Sequence, residues 1–188
     1  MGLAEEGATG GATLCHLAQA VGAQVFLEVG KSATSLSLDA SAVPTLRLHV
    51  AVLVSGEDEE TRGSKEADDA LGGERADILF IDSGRRFDTV CRDYATHRHL
   101  VRHGGYVVFA ACDRRRWPGV ALAAEHVAAA PGNRLVGFMG GDHCVICMGC
   151  APPSSRRKRG ERRCRGGGGG GPYSNDATGD LLALPRLP

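Results

Sequence analysis

Residues 76–120, ADILFIDSGRRFDTVCRDYATHRHLVRHGGYVVFAACDRRRWPGV, constrain the fold more than any other stretch of the chain. Residues 78–81 are a short apolar run entered by Asp77 and closed by Asp82, the pattern of a strand covered on both faces. Residues 87–101 set Val90, Tyr94 and Leu100 among Arg and His at helical spacing, which predicts a helix. Gly104-Gly105 is read as the end of that helix, where a left-handed residue is wanted. Residues 106–110 are a second apolar run. A strand–helix–strand unit of this length is a right-handed crossover between parallel strands. Ligands of such sheets bind outside the carboxyl ends of the strands, so Asp82 and the AACD segment ending at Asp113 share the expected functional rim.

The flanking sequence extends the alternation. Thr13 is placed to cap a helix over residues 14–21, with Leu14, Leu17, Ala18 and Val21 on one face. Residues 25–29 (VFLEV) form a compact strand, and the following KSATSLSLDA reads as a helix start. Residues 46–54 predict another strand, followed by the acidic loop SGEDEE and a short helix over 65–71. Residues 118–130 carry proline in a first helical turn and strong helix formers after it. Pro131-Gly132-Asn133 breaks that helix, and 134–139 with 143–148 form a hairpin around Gly140-Gly141-Asp142. The expected architecture is α/β: a Rossmann-like, mostly parallel sheet with a C-terminal antiparallel hairpin and helices on both faces. Residues 12–150 form that domain, residues 1–11 a flexible N-terminus, and residues 151–188 a disordered basic and glycine-rich tail.

Charge is neutral overall but unevenly spread. Residues 151–188 hold eight Lys/Arg against three Asp/Glu, leaving 14 against 19 in residues 1–150. The body therefore offers no general attraction for nucleic acid, and only the RRKRGERRCR run does so weakly. That run also has the composition of a nuclear-import signal, although a solvated tail is the preferred reading. No charged-then-apolar leader opens the sequence and no apolar run reaches membrane-spanning length. The expectation is a cytoplasmic protein with its seven cysteines reduced. Cys144, Cys147 and Cys150 have a C-x-x-C-x-x-C spacing suggestive of metal or iron–sulfur binding, but no fourth cysteine lies near. Alternation puts Cys144 and Cys147 on opposite strand faces, which favours buried thiols. Gly30-Lys31-Ser32 echoes the end of a phosphate-binding loop, yet Val25 stands where such a loop needs glycine.

The order strand-Glu-x-Gly, acidic loop, LFID, helix, GGYVVF, PGV and closing hairpin resembles the class I S-adenosylmethionine-dependent methyltransferases. It is most similar to the small-molecule O-methyltransferase group, whose fourth strand ends in an ID-G-x-H-x-Y pattern. The resemblance covers about residues 12–149 and is densest from Asp77 to Val120. Asp82 matches the acid of that pattern, Phe87 the aromatic, Asp93 a helix acid and Gly104-Gly105 the turn. The resemblance implies S-adenosylmethionine as cofactor and a small-molecule substrate. It implies cofactor contacts from Glu28, Gly30 and Ser32, with Glu57 or Asp58 accepting from ribose hydroxyls. Asp82 and Asp113 are the implied catalytic acids. The sequence departs from the pattern at three places. In an ungapped comparison Thr34 stands at the second glycine of the cofactor loop; alternatively four loop residues have been lost and Ser32-Ala33 is the family's helix start. Arg85 stands at the family histidine. Ala111 occupies the second acid position, which weighs against a divalent metal. The span from Val54 to Ile78 is also short for two helices and a third strand.

Two functions follow from these residues. One is transfer of an activated methyl group to an oxygen of a small molecule, where the protein positions the partners and removes a proton. The other is a non-catalytic binding or scaffold domain of the same fold with a degraded cofactor loop.

Overall fold

The computed structural model describes residues 6–30, 38–53, 59–140 and 142–150. The KSATSLS stretch, Ser32, Glu57, Asp58 and the basic tail lie outside them. Helix α1 spans Glu6–Ala20, strand β1 Val25–Gly30 and β2 Leu48–Leu53. These are followed by α2 over Glu59–Leu71, β3 over Ala76–Asp82 and α3 over Phe87–His97. The chain closes with β4 (Val101–Phe109), α4 (Pro118–Ala128), β5 (Arg134–Met139) and β6 (His143–Cys147).

The six strands make one sheet in the order β2-β1-β3-β4-β6-β5. β2, β1, β3 and β4 run parallel, while β6 is antiparallel to both β4 and β5. This is the expected parallel sheet with an antiparallel hairpin. Among the described residues, α2 alone connects β2 to β3, with no further strand there, in keeping with the short Val54–Ile78 span.

Alternation along each strand divides the core. Leu27, Val29, Leu79, Ile81, Val107, Phe109, Cys144 and Ile146 face α2, α3 and α4. Phe26, Ile78, Phe80, Val108 and Val145 face α1 and the segment carrying Leu38 and Val43. Phe26, Phe80 and Phe109 are fully buried. Each such side chain contributes about 1.5–3 kcal/mol relative to exposure.

Several boundaries differ from the sequence reading. Helix α1 begins at Glu6, so Thr13 lies inside it and caps nothing. Thr13 instead lies against Gly140 in the β5–β6 turn, where an added Cβ would meet its Oγ1 at 2.9 Å. Helix α2 starts at Glu59 rather than at residue 65. β2 opens at Leu48 and not at 46.

The largest correction concerns Gly104-Gly105. Helix α3 stops at His97, a single 3-10 turn covers Arg98–Leu100, and β4 has already begun at Val101. Ala76 pairs with Val101 and Ile78 with Tyr106, so β4 spends five residues where β3 spends two. The glycines sit in that bulge. Gly104 has φ 77°, and a Cβ on Gly105 would approach the Asp77 carbonyl oxygen to 3.0 Å. Gly104 N donates to Met148 O at 2.7 Å, and Met148 N donates to Gly105 O at 2.8 Å. A glycine pair suits a helix end and a bulge equally, and only the partner strand decides which forms.

The cysteines also differ from expectation in one respect. Cys147 and Cys150 are joined as a disulfide, with Cα atoms 6.0 Å apart, whereas Cys15, Cys91, Cys112 and Cys144 are free thiols. Gly149, at φ 63°, turns the chain so that Cys150 folds back on the end of β6.

Candidate functional site

The register of the sheet assembles the rim. Gly30, the last residue of β1, pairs with Asp82, the last residue of β3. Next to them, Ala110 N donates to Ile81 O at 3.0 Å and carries the β3–β4 pairing to the same level. Because β6 runs antiparallel, its first residues, His143 and Cys144, also arrive there, with Cys144 opposite Phe109. Strand parity then puts Glu28, Asp82, Ala110 and His143 on the α1 side of the sheet.

The turn after β3 is fixed from two directions. Ser83 Oγ donates to Asp93 Oδ2 of α3, both residues being buried, and His97 Nδ1 lies 2.9 Å from Asp93 O. From the other side, the start of α4 packs tightly on this turn. A Cβ on Gly119 would meet Arg85 O at 2.6 Å and Phe87 N at 2.8 Å, both backbone atoms. Asp93 and the PGV glycine, matched in the sequence to family positions, therefore hold the loop that follows Asp82.

Asp82 is about one-third exposed, and its Oδ1 accepts from Arg85 Nη1 at 2.8 Å. The Arg85 guanidinium also lies 5.4 Å from the Trp117 ring centroid, a cation–π distance. Asp113 faces a different task. Its Oδ1 accepts from Arg115 N at 2.8 Å and its carbonyl accepts from Trp117 N at 2.7 Å, so it organises the turn leading into α4. A hard divalent cation wants several free oxygen ligands. Here the guanidinium of Arg85 supplies the positive charge at Asp82, and one Asp113 oxygen is engaged by backbone. No group of three or more His, Cys, Asp or Glu among the described residues is arranged to hold a metal. The donor set does not fit such an ion.

Glu28 is buried within β1, and His49 Nε2 of β2 lies 3.3 Å from its Oε2. His49 in turn stands edge-on to Phe26, with centroids 5.4 Å apart. Among the described residues, the nearest atom a Cβ added to Gly30 would meet is Asp82 O at 3.8 Å, an ordinary contact. Its φ is not in the left-handed region, so nothing in the backbone requires glycine there.

His143 is a rim residue that sequence reasoning passed over, having treated it only as the start of the cysteine run. It is buried, stacks on Phe80 at 5.8 Å between centroids, and places Nδ1 2.8 Å from Asp142 Oδ1. That contact is close but poorly aligned, since Nδ1 has no partner in hydrogen-bond geometry. The signal that locates it is parity: His143, Val145 and Cys147 share a face, and Val145 packs with Phe80.

No family model matches this sequence, and no curated protein sequence matches it. Solved structures do match in fold. The cofactor-bound Rv0187 protein from MTB superposes with a TM-score of 0.52 at 16% identity, covering 80% of this chain and 83% of that one. A structure from Staphylococcus aureus assigned as a caffeoyl-CoA O-methyltransferase gives a TM-score of 0.51 at 13% identity, over 71% of this chain and 79% of that one. This chain shares the fold of both structures, the second of which is assigned as an O-methyltransferase.

Proposed function

We propose that this chain binds S-adenosylmethionine at the carboxyl rim of β1 and directs methyl transfer to an oxygen of a small molecule. The observation that carries the reading is the Gly30–Asp82 pair. A glycine that the backbone does not need pairs with an accessible carboxylate, and among the described residues a Cβ there would make only an ordinary contact, at 3.8 Å to Asp82 O. A glycine kept where its own chain has room for a side chain is explained by something else approaching the backbone closely. Open parallel sheets bind ligands outside the carboxyl ends of their strands, and one similar structure is cofactor-bound, which supports the placement.

The methyl group arrives already activated by its sulfonium, so the chain's work is positioning and proton removal. Asp82 holds the substrate hydroxyl and accepts its proton as the oxygen attacks. Arg85, bonded to the same carboxylate, fixes its direction. Asp113 stands on the neighbouring loop as a second acid for the substrate. Gly30 admits the cofactor to the β1 backbone, with Glu28 and Ser32 flanking it and Glu57 or Asp58 receiving the ribose hydroxyls. The Arg85 ion pair also favours a second reading, a binding module in which Asp82 serves the loop and no methyl is transferred.

Calorimetric titration with S-adenosylmethionine and S-adenosylhomocysteine separates these readings from a chain that binds neither. The expected result is saturable binding of both, abolished in Gly30→Val with unchanged thermal stability, because among the described residues the added Cβ makes only an ordinary contact. Absence of heat at millimolar cofactor would sink the proposal. Binding without turnover over a panel of phenols, catechols and hydroxy acids would select the module.

A further inference from the structure

Outside the rim, the clearest organised feature is a cleft of about 410 Å³ between α4 and the β5–β6 hairpin. Its walls are mostly apolar, with Ala121 and Ala124 of α4 and Leu135 and Phe138 of β5, and Arg114 and Glu125 also line it. Two sulfurs, Cys112 and Cys144, line it as well. Both residues are buried and both are free thiols. They come from segments 32 residues apart in sequence, so the fold alone brings them together.

Their meeting depends on an unusual backbone. Ala110 belongs to the α1 side of the sheet, and simple alternation would return Cys112 to that side. Ala111 instead has φ 54°, the only positive value at a non-glycine position among the described residues. The left-handed residue reverses the parity and sends Cys112 into the α4 side beside Cys144. Cys112 N then donates to Asp142 O at 2.5 Å, which ties the two segments together next to the thiols. A left-handed alanine costs about 1–2 kcal/mol, and strain of this kind concentrates at sites that use the resulting geometry.

We propose that Cys112 and Cys144 are an oxidisable dithiol, reached through the cleft, that reacts with a peroxide to close a disulfide between the β4 loop and β6. Cys112 is the attacking sulfur and Cys144 the resolving one. A hydrogen bond between the two thiols draws the Cys112 pKa below that of an ordinary thiol, despite burial and the opposing charges of Glu125 and Asp142. The same bond, with burial, pushes the Cys144 thiol up. In the first step the Cys112 thiolate attacks one peroxide oxygen, the O–O bond breaks, and the alkoxide or hydroxide leaves and takes a proton. Cys112 is now a sulfenic acid. In the second step the Cys144 sulfur displaces its hydroxyl, the S–S bond forms, and water carries away that oxygen with the Cys144 proton. Two thiols are oxidised by two electrons and one peroxide is reduced. The cross-link would fix the segment bearing Asp113 to the start of β6.

The full chain carrying Cys147→Ala and Cys150→Ala, which removes the neighbouring disulfide, is the protein to treat with hydrogen peroxide and with cumene hydroperoxide. Peptide mapping should find the Cys112 peptide linked to the Cys144 peptide, with the loss of two hydrogens, reversed by dithiothreitol. Adding Cys144→Ser should leave Cys112 as a sulfenic acid that dimedone traps, whereas adding Cys112→Ser should leave Cys144 a thiol. A faster reaction with the organic peroxide would show that the apolar cleft selects the oxidant. The proposal fails if both thiols survive while half-buried Cys91 oxidises, or if Cys112 passes to sulfinic acid with Cys144 unreacted. The mapping needs no active-site variant and stands or falls independently of methyl transfer.

Discussion

Strand β3 carries an acid near each end, and the two are used in opposite ways. Asp77, near the amino end, is almost fully occupied: its Oδ2 accepts from Gln24 N at 2.7 Å and Val25 N at 2.9 Å, and its Oδ1 accepts from Arg102 Nε. It holds the start of β1 to β3 and anchors the strand containing the bulge. Asp82, at the carboxyl end, accepts from one side chain among the described residues, and that partner, Arg85, is itself partly exposed. The lower edge of the sheet spends its acid on the fold, while the upper edge leaves one facing outward. Two carboxylates of similar sequence context, each bordering the same apolar run, therefore belong to different parts of the problem.

The largest effect should come from breaking the lower end. Asp77→Ala leaves two backbone N–H groups and a guanidinium without their acceptor, and should cost about 3 kcal/mol of stability in denaturant unfolding. The same contrast appears in acid. Burial pulls the Asp77 pKa up, but the donors from Gln24, Arg102 and Val25 outweigh it and hold it below its ordinary 3.8. A carboxylate with a lowered folded pKa contributes its stability above the unfolded value and loses it as pH falls through the folded one. Wild-type stability should therefore decline below about pH 4 with a component that Asp77→Asn lacks. Equal acid profiles for the two proteins would remove Asp77 from this role.

Asp82→Asn should invert the pattern. An exposed ion pair is worth about 0–1 kcal/mol, so unfolding should shift by no more than that. Methyl transfer, if Asp82 takes the proton, should fall about 100-fold, the lower end of what a positioned base supplies. A stability loss matching that of Asp77→Ala would mean the upper acid is structural too, and the comparison would collapse.

The same division explains what the sequence revealed. The apolar runs of β1, β3 and β6, proline at the head of α4 and the hairpin glycines are local signals, and they appear where expected. Asp77 and Asp82 could not be told apart, because what separates them is the backbone of residues 24 and 25, which lie 53 and 52 residues from Asp77 along the chain. The Gly104-Gly105 bulge was equally hidden, since its cause is the pairing of β4 with Ala76 and Met148. At the rim, Gly30 and Asp82 were legible as motif residues, but their side-by-side register was not. His143 was missed because strand parity matters only once β6 is known to run beside β4. Cys112 was missed for a sharper reason: a left-handed alanine inverts the parity that any alternation rule would assume.

That alanine supplies the smallest and most discriminating test of the difference between the two edges. Among the described residues the lower edge has its positive φ values at glycines, such as Gly104, where they carry little penalty. The upper edge has one at Ala111, where the Cβ is held against the following carbonyl. Ala111→Gly relieves that crowding but also gives the unfolded chain more freedom to lose, so the net gain should be about 0.5–1 kcal/mol by denaturant unfolding. The freed backbone should also leave Cys112 less firmly placed, lowering the yield of its cross-link to Cys144 under a fixed dose of peroxide. Stability that rises while cross-linking falls would show that the strain is retained for the position it gives the thiol. If stability falls instead, the left-handed turn is not a strained one, and the upper edge is as relaxed as the lower.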